Sequence, residues 1–218
     1  MRAREQDLRA GLSALQLSVS DVQVARLLDY LDLIGKWTRV YNLTAVRDPA
    51  EMLTHHLLDS LAALAPLRRH LAQAGQGRAS LLDVGSGAGL PGVVIAICCP
   101  DVAVTCVDTV AKKAAFIKQA ALALKLPNLT GQHARVETIT QPFDVICARA
   151  FASLHDFTQW SAGALAPAGV WMAMKGKHPA DEIAALPPSA EVFHVEQLAV
   201  PGLNAERCIV WMRQKTTG

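Results

Sequence analysis

Ten residues, Asp83-Val84-Gly85-Ser86-Gly87-Ala88-Gly89-Leu90-Pro91-Gly92, constrain this chain more than any other stretch. A short apolar run, Leu81–Val84, reads as a buried strand. Three alternating glycines follow it, and the apolar run 91–98 then suits a helix with Pro91 near its first turn. Glycines let the backbone turn sharply and let a ligand approach the main chain. A helix that starts there presents unpaired N–H groups. In a doubly wound sheet this strand–loop–helix unit is where a nucleotide-like cofactor sits.

The rest of the chain agrees with such a sheet. Strand patterns recur at 102–107, 143–148, 170–174, 191–200 and 207–213. Helix patterns fall between them at 111–126, 155–165 and 180–186, and Pro167-Ala168-Gly169 reads as a turn. This alternation predicts a parallel sheet with helices on both faces. The front is helical instead. Ser20 and Gln23 form a capping-box pattern before Val24, Leu27, Leu28, Leu31 and Ile34. Asp48, Pro49 and Glu51 open a second helix that is expected to stop before Pro66. The loop 73–80, QAGQGRAS, separates a helical extension, 1–72, from a cofactor-binding domain, 73–218. The fold class expected is α/β, a doubly wound Rossmann-like sheet with an N-terminal helical extension.

Two cofactors compete for the glycine loop. Gly87-x-Gly89-x-x-Gly92 satisfies the dinucleotide fingerprint, with Asp108 ending the next strand as a ribose acceptor. Asp83 argues against a dinucleotide, because a carboxylate at the end of the first strand would face and repel a pyrophosphate. S-adenosylmethionine has no phosphate and brings an ammonium and a sulfonium, so an acid there is favourable. Asp108 lies 19 residues after Gly89 and has two oxygens for two ribose hydroxyls.

Composition excludes several classes. The longest central apolar run, Val93–Cys99, is far short of the ~20 residues of a membrane span. The first ten residues carry three arginines and no apolar core of a signal peptide. Five cysteines in apolar runs, with no CxxC pair, read as reduced thiols of a cytoplasmic protein. The net charge of +2 neither requires nor excludes nucleic acid.

The loop DVGSGAGLPG, followed by VDTVAKKAAFIKQ, RVE at 135–137, FDVICARAFASL and MKG, resembles the bacterial small-subunit ribosomal RNA guanine-N7 methyltransferase family of the G type, also called glucose-inhibited division protein B. KWTRVYNLTAVRDPAEMLTHHLLDSL resembles that family's helical extension, and the resemblance runs from about Leu31 to Arg213. Thr109 and Lys113 depart from it, standing where serine and arginine are usual. The resemblance implies a monomer that binds S-adenosylmethionine and methylates a guanine in the decoding region of the small subunit. It implies that Gly85 and Leu90 line the cofactor, that Asp108 takes the ribose, that Val136 and Glu137 flank the adenine, and that Arg149 faces cofactor and substrate. Asp83 and Gly87 belong to the same cofactor loop.

Guanine N7 carries a lone pair and no proton, so no catalytic base is assigned. Candidates for RNA contact are Arg39 and Asn42, beside Trp37, Tyr41, Lys36 and Arg47, and Lys175 and Lys177, beside His178. Trp37 and Tyr41 read equally well as a helix end packed on the sheet. His55, His56 and Asp59 lie within one helical turn, but that patch reads as structural, and no metal is expected. Two other functions compete: a ribosomal RNA-binding assembly factor that keeps the cofactor without turnover, and a small-molecule methyltransferase.

Overall fold

The structure is a computed structural model of the 218-residue chain. It describes residues 2–41, 43, 44, 46, 48–75 and 77–215, with 49 and 50 described in backbone only. The sheet has seven strands: β1 (Ala79–Val84), β2 (Val102–Asp108), β3 (Leu129–His133), β4 (Phe143–Arg149), β5 (Leu165–Lys175), β6 (Ala190–Leu198) and β7 (Arg207–Gln214). Their order across the sheet is β3-β2-β1-β4-β5-β7-β6. The first five strands pair in parallel, whereas β7 runs antiparallel to both β5 and β6. The expected all-parallel sheet is thus corrected at its last strand. A parallel crossover needs roughly a dozen residues, and the segment 199–206 has no room for one. The chain therefore returns alongside β6 in the opposite sense.

The helices are α1 (Arg2–Ala14), α2 (Asp21–Tyr41), α3 (Pro49–Met52), α4 (Asp59–Leu61), α5 (Leu64–Gln73), α6 (Gly92–Cys98), α7 (Ala111–Ala123), α8 (Leu154–Ser161) and α9 (Ala180–Ala184). Between α3 and α4 the helix widens to a π turn over Leu53–Leu58. The capping box forms as expected: Gln23 N–H reaches Ser20 Oγ at 3.3 Å, and Ser20 N–H reaches Gln23 Oε1 at 3.0 Å. Gln23 Nε2 also donates to Ile97 O at 3.0 Å, tying α2 to the end of α6.

Several expectations shift. Pro66 does not end a helix; it is the third residue of α5, where its missing N–H would have had no intrahelical acceptor. The turn expected at 167–169 lies inside β5, which starts at Leu165 and shifts register against β4 between Phe143 and Val145. Two elements had no expectation: α1, which buries only Leu8, Gly11 and Leu12, and β3, an edge strand that buries only Leu129 and Gly131. Both lack enough apolar residues to show a period.

One apolar cluster joins Leu27, Leu57 and Leu64 of the helical front to Val94, Phe116 and Trp211, covering one face of the sheet. A second cluster, with Phe143, Phe157 and Trp171, covers the other face. All five cysteines are buried and unpaired. Among the described residues, no helix is long and apolar enough to cross a membrane.

Candidate active site

The glycine loop leaves β1 through three left-handed residues: Gly85, Gly87 and Gly89 have φ of +63°, +58° and +86°. Side chains rarely adopt that backbone, so the sequence alternates glycine there. Gly92 meets a different demand, close approach. A Cβ on it would lie 2.5 Å from Cys106 Sγ and 2.7 Å from Asp83 Oδ2. Asp83 is fully buried, and its Oδ2 accepts the Gly92 N–H at 2.8 Å, at the start of α6. Its Oδ1 has no hydrogen-bond partner among the described residues. Burial pushes this carboxyl up to about 7. Position in the sequence puts Asp83 where a pyrophosphate would lie; the fold places it beneath the loop, outside the residues that line the crevice.

That placement makes a prediction with a definite sign. A carboxyl raised in the folded state favours folding below its unfolded value near 3.8, and this contribution is lost as pH rises through about 7. Asp83→Asn removes the loss, so between pH 4 and 8 the variant's stability should gain on wild type by on the order of 4 kcal/mol without cofactor. Urea unfolding at the two pH values measures it. A parallel pH dependence for both proteins would mean that Asp83 stays charged in the apo fold.

The crevice runs along the carboxyl ends of β1, β2 and β4 as two lobes that share Gly85 and Ala150. The first lobe, about 430 Å³, is lined by Gly85, Asp108, Val136, Glu137, Phe151 and Trp160 among others. Asp108 ends β2; its Oδ2 accepts the Gly87 N–H at 3.0 Å and its Oδ1 the Val110 N–H at 2.9 Å. Each oxygen keeps a lone pair for a further donor. Val136 is buried, while Glu137 is exposed and pairs with Arg135 at 2.8 Å, which holds its carboxyl below the usual range. Ala150 and Ala152, with φ of +53° and +38°, bracket Phe151, whose ring packs edge-on against Phe157 and Trp160. A Cβ on Gly85 would run into that ring. A carboxylate with two spare lone pairs beside an apolar slot and a bare backbone turn suits a ribose carrying a flat base. S-adenosylmethionine fits this donor set.

The second lobe, about 460 Å³, takes in Ser86, Gly87, Ala88 and Leu90 on one wall. Arg149, Asp59, Arg207, His55 and His56 form much of the other. Arg149 Nη1 donates to Asp59 Oδ2 at 2.7 Å and to His55 O at 2.8 Å, and Arg207 Nε donates to Asp59 Oδ1 at 2.8 Å. His56 Nε2 lies 2.9 Å from Thr44 Oγ1, and burial with the nearby Arg149 charge lowers the imidazole to about 4, so it is neutral at physiological pH. Of the His55–His56–Asp59 patch, Asp59 and the His55 carbonyl belong to the arginine network, while the His55 ring lies 3.1 Å from Glu51 O. Among the described residues, no group of three or more His, Cys, Asp or Glu side chains could hold a metal ion.

The RNA candidates scatter. Lys175 lines the second lobe, but its ammonium bonds to Glu182 Oε2 at 2.7 Å and to Ala152 O at 3.1 Å. Lys177 is exposed on the loop after β5. Arg39 sits in the last turn of α2, away from both lobes. Trp37 packs its ring on Tyr41 and on Phe116 of α7, with Lys112 over the Tyr41 ring, so this helix end is packed on another helix and not on the sheet as expected. Asn42 and Arg47 lie outside the described residues. Sequence reasoning missed Arg207 and gave Asp59 no partner. Arg207 opens an apolar strand much as Arg149 ends one, but 58 positions separate them in the chain. Only the fold shows that they share a carboxylate.

A parallel doubly wound sheet with a reversed seventh strand, and a glycine loop facing an acid at the end of β2, define a Rossmann-like class I methyltransferase fold. Solved structures of that fold superpose on it. TrmN from Thermus thermophilus aligns at a TM-score of 0.55 and 21% identity over 75% of this chain and 53% of that one, so the chain spans about half of TrmN's length. Coclaurine N-methyltransferase aligns at a TM-score of 0.52 and 13% identity over 91% of this chain and 74% of that one. Sequence is more specific. Residues 23–210 match the family described as rRNA small subunit methyltransferase G (GidB), and the chain belongs to that family. Proteins named ribosomal RNA small subunit methyltransferase G are 80% identical in Polaromonas sp. strain JS666, over 99% of this chain and 96% of that protein, and 73% identical in Polaromonas naphthalenivorans, over 98% and 99%.

Proposed function

We propose that the chain transfers the methyl group of S-adenosylmethionine to N7 of a guanine in small-subunit ribosomal RNA. The observation that carries this reading is the two-lobed crevice, a cofactor cradle opening onto a cationic lobe, in a chain of this family. In this reading Gly85, Gly87, Leu90, Asp108, Val136 and Glu137 hold the cofactor, with Asp83 bracing the loop from below. Arg149 stands where cofactor and substrate meet. Residues 1–72 are the helical extension and 73–218 the methyltransferase domain, working as a cytoplasmic monomer without a metal.

Bound S-adenosylmethionine supplies a methyl group on a sulfonium, which is open to direct attack. Guanine N7 has a lone pair and no proton, so the chain moves no proton and needs no general base. Its residues act by position: the glycine loop and Asp108 fix the donor, and the second lobe holds the base in line and excludes water. A guanine paired in a helix reaches such a lobe only when unstacked or flipped.

Tritium transfer from labelled cofactor to ribosomal small subunits and to their free RNA tests the reading. Label recovered in 7-methylguanine is the expected result. Tight RNA binding without transfer would make the protein an assembly factor that retains its cofactor. Transfer only to small acceptors would make it a small-molecule methyltransferase.

A further inference from the structure

We propose that Arg149, Asp59 and Arg207 form a clamp for one phosphodiester of the substrate RNA, with the two guanidiniums gripping the phosphate and Asp59 as their positioning residue. The inference rests on the RNA reading above and adds a ligand class and two residues to it.

The two arginines come from strands that are not neighbours, since β5 lies between β4 and β7. Two like charges at one site repel unless something holds them. Asp59 does, with one carboxylate oxygen to each, at 2.7 and 2.8 Å. Its side chain is only 5% exposed, against 19% for Arg149 and 25% for Arg207. The acid is therefore inside and the guanidiniums reach the crevice. The π turn over Leu53–Leu58 contributes a second anchor, the His55 carbonyl, which takes the other Nη1 hydrogen of Arg149. Among the described residues, the hydrogen bonds of Arg149 run through Nη1 and those of Arg207 through Nε and Nη1, leaving the Nη2 group of each for a ligand.

The charge balance names that ligand. Asp59 is the sole acid among the described residues lining this lobe, beside Arg149, Arg207 and Lys175. Lys175 is balanced by Glu182. One net positive charge remains, in a lobe where the methylated base itself becomes cationic. That surplus opposes transfer unless the substrate brings an anion, and a backbone phosphate is the anion every nucleotide carries. Guanidiniums suit phosphate oxygens as planar forks. The carboxylate of the cofactor's amino-acid tail is the other anion in reach. The phosphate is favoured because none of the three clamp residues lines the lobe that Asp108 shares with Val136 and Glu137.

The test is a cycle between protein and RNA. Single methylphosphonate linkages are placed at each phosphate flanking the target guanine, and methylation is measured with wild type, Arg207→Gln and Asp59→Asn. S-adenosylhomocysteine affinity is read by calorimetry. One neutral linkage should raise the RNA KM of wild type about 10-fold, but that of Arg207→Gln less than about twofold. Arg207→Gln should also flatten the log–log salt dependence of RNA binding by ~0.7. Asp59→Asn should raise the RNA KM with kcat and S-adenosylhomocysteine affinity held within about threefold, and Asp59→Glu should recover part of it. If Asp59→Asn does not fold, the Arg207→Gln cycle decides alone. Penalties that add at every linkage would overturn the clamp. A loss of S-adenosylhomocysteine affinity in Arg207→Gln would also overturn it and give the arginines to the cofactor's carboxylate. Should wild type methylate no RNA at all, the functional reading falls and the clamp with it; normal wild-type methylation with an additive cycle removes the clamp alone.

Discussion

Asp108→Ala is expected to lower S-adenosylhomocysteine affinity by roughly 10²–10⁴-fold, because two charge-assisted hydrogen bonds of ~1.5–3 kcal/mol each disappear together. The structure adds a second reason. Asp108 also accepts the Gly87 and Val110 N–H groups, so it holds the glycine loop in the shape that receives the ligand. Alanine leaves both donors without that acceptor. Asp108→Asn keeps one acceptor oxygen and should retain part of the affinity. Calorimetric titration of both variants, with thermal unfolding to confirm the fold, measures the difference. Wild-type affinity in the alanine variant would move the ribose away from β2 and take the cofactor assignment with it.

Gly89→Ala should destabilise the fold strongly. Its φ of +86° is a left-handed backbone, and an added Cβ would run into the side chains of Val93 and Ile117 and come within 3.3 Å of the Tyr30 hydroxyl. That hydroxyl donates to Ala88 O and lies 3.2 Å from Gly89 O, so it has no room to move aside. A left-handed residue costs ~1–2 kcal/mol and overpacking ~1–3, giving about 2–5 kcal/mol in all. Gly87→Ala is the comparison. It has a similar left-handed φ of +58°, but the nearest atom to its Cβ is 4.0 Å away, so only the backbone cost applies. Urea unfolding of the two variants should rank Gly89→Ala well below Gly87→Ala. Equal losses would show that the loop yields at Gly89 and that packing against α7 does not hold it.

Much of the fold was legible because its signals are local. The capping box at Ser20 and Gln23, the glycine loop at 83–92 and the strands at 102–107 and 143–148 each occupy fewer than a dozen neighbouring residues. Propensity and apolar period act over that distance. The failures also have local causes. α1 and β3 bury too few side chains to mark a period, and Pro66 reads as a stop unless one knows that its helix has only just begun. The reversed β7 follows from the shortness of 199–206, a signal present in the chain but weaker than the general alternation of strands and helices.

The cofactor lobe and the second lobe divide along the same line. The sequence by itself determined the glycine loop and the acid after the next strand, since these residues are adjacent or follow one another at a fixed spacing. Both suit a dinucleotide as well as S-adenosylmethionine, and Asp83, the residue that chooses between them in the sequence, does not line the crevice. What only the tertiary structure decided is who meets whom across the sheet. Asp83 reads as a wall of the cofactor site but is buried under the loop, holding the first N–H of α6. Lys175 reads as an available cation but is bound to Glu182. Asp59 reads as part of a histidine patch but joins Arg149 and Arg207, which are 90 and 148 residues away from it. Charge pairing in a fold depends on distances of a few ångströms between side chains remote in the chain. No periodicity encodes such distances; the packing of the helical front against the strand ends sets them.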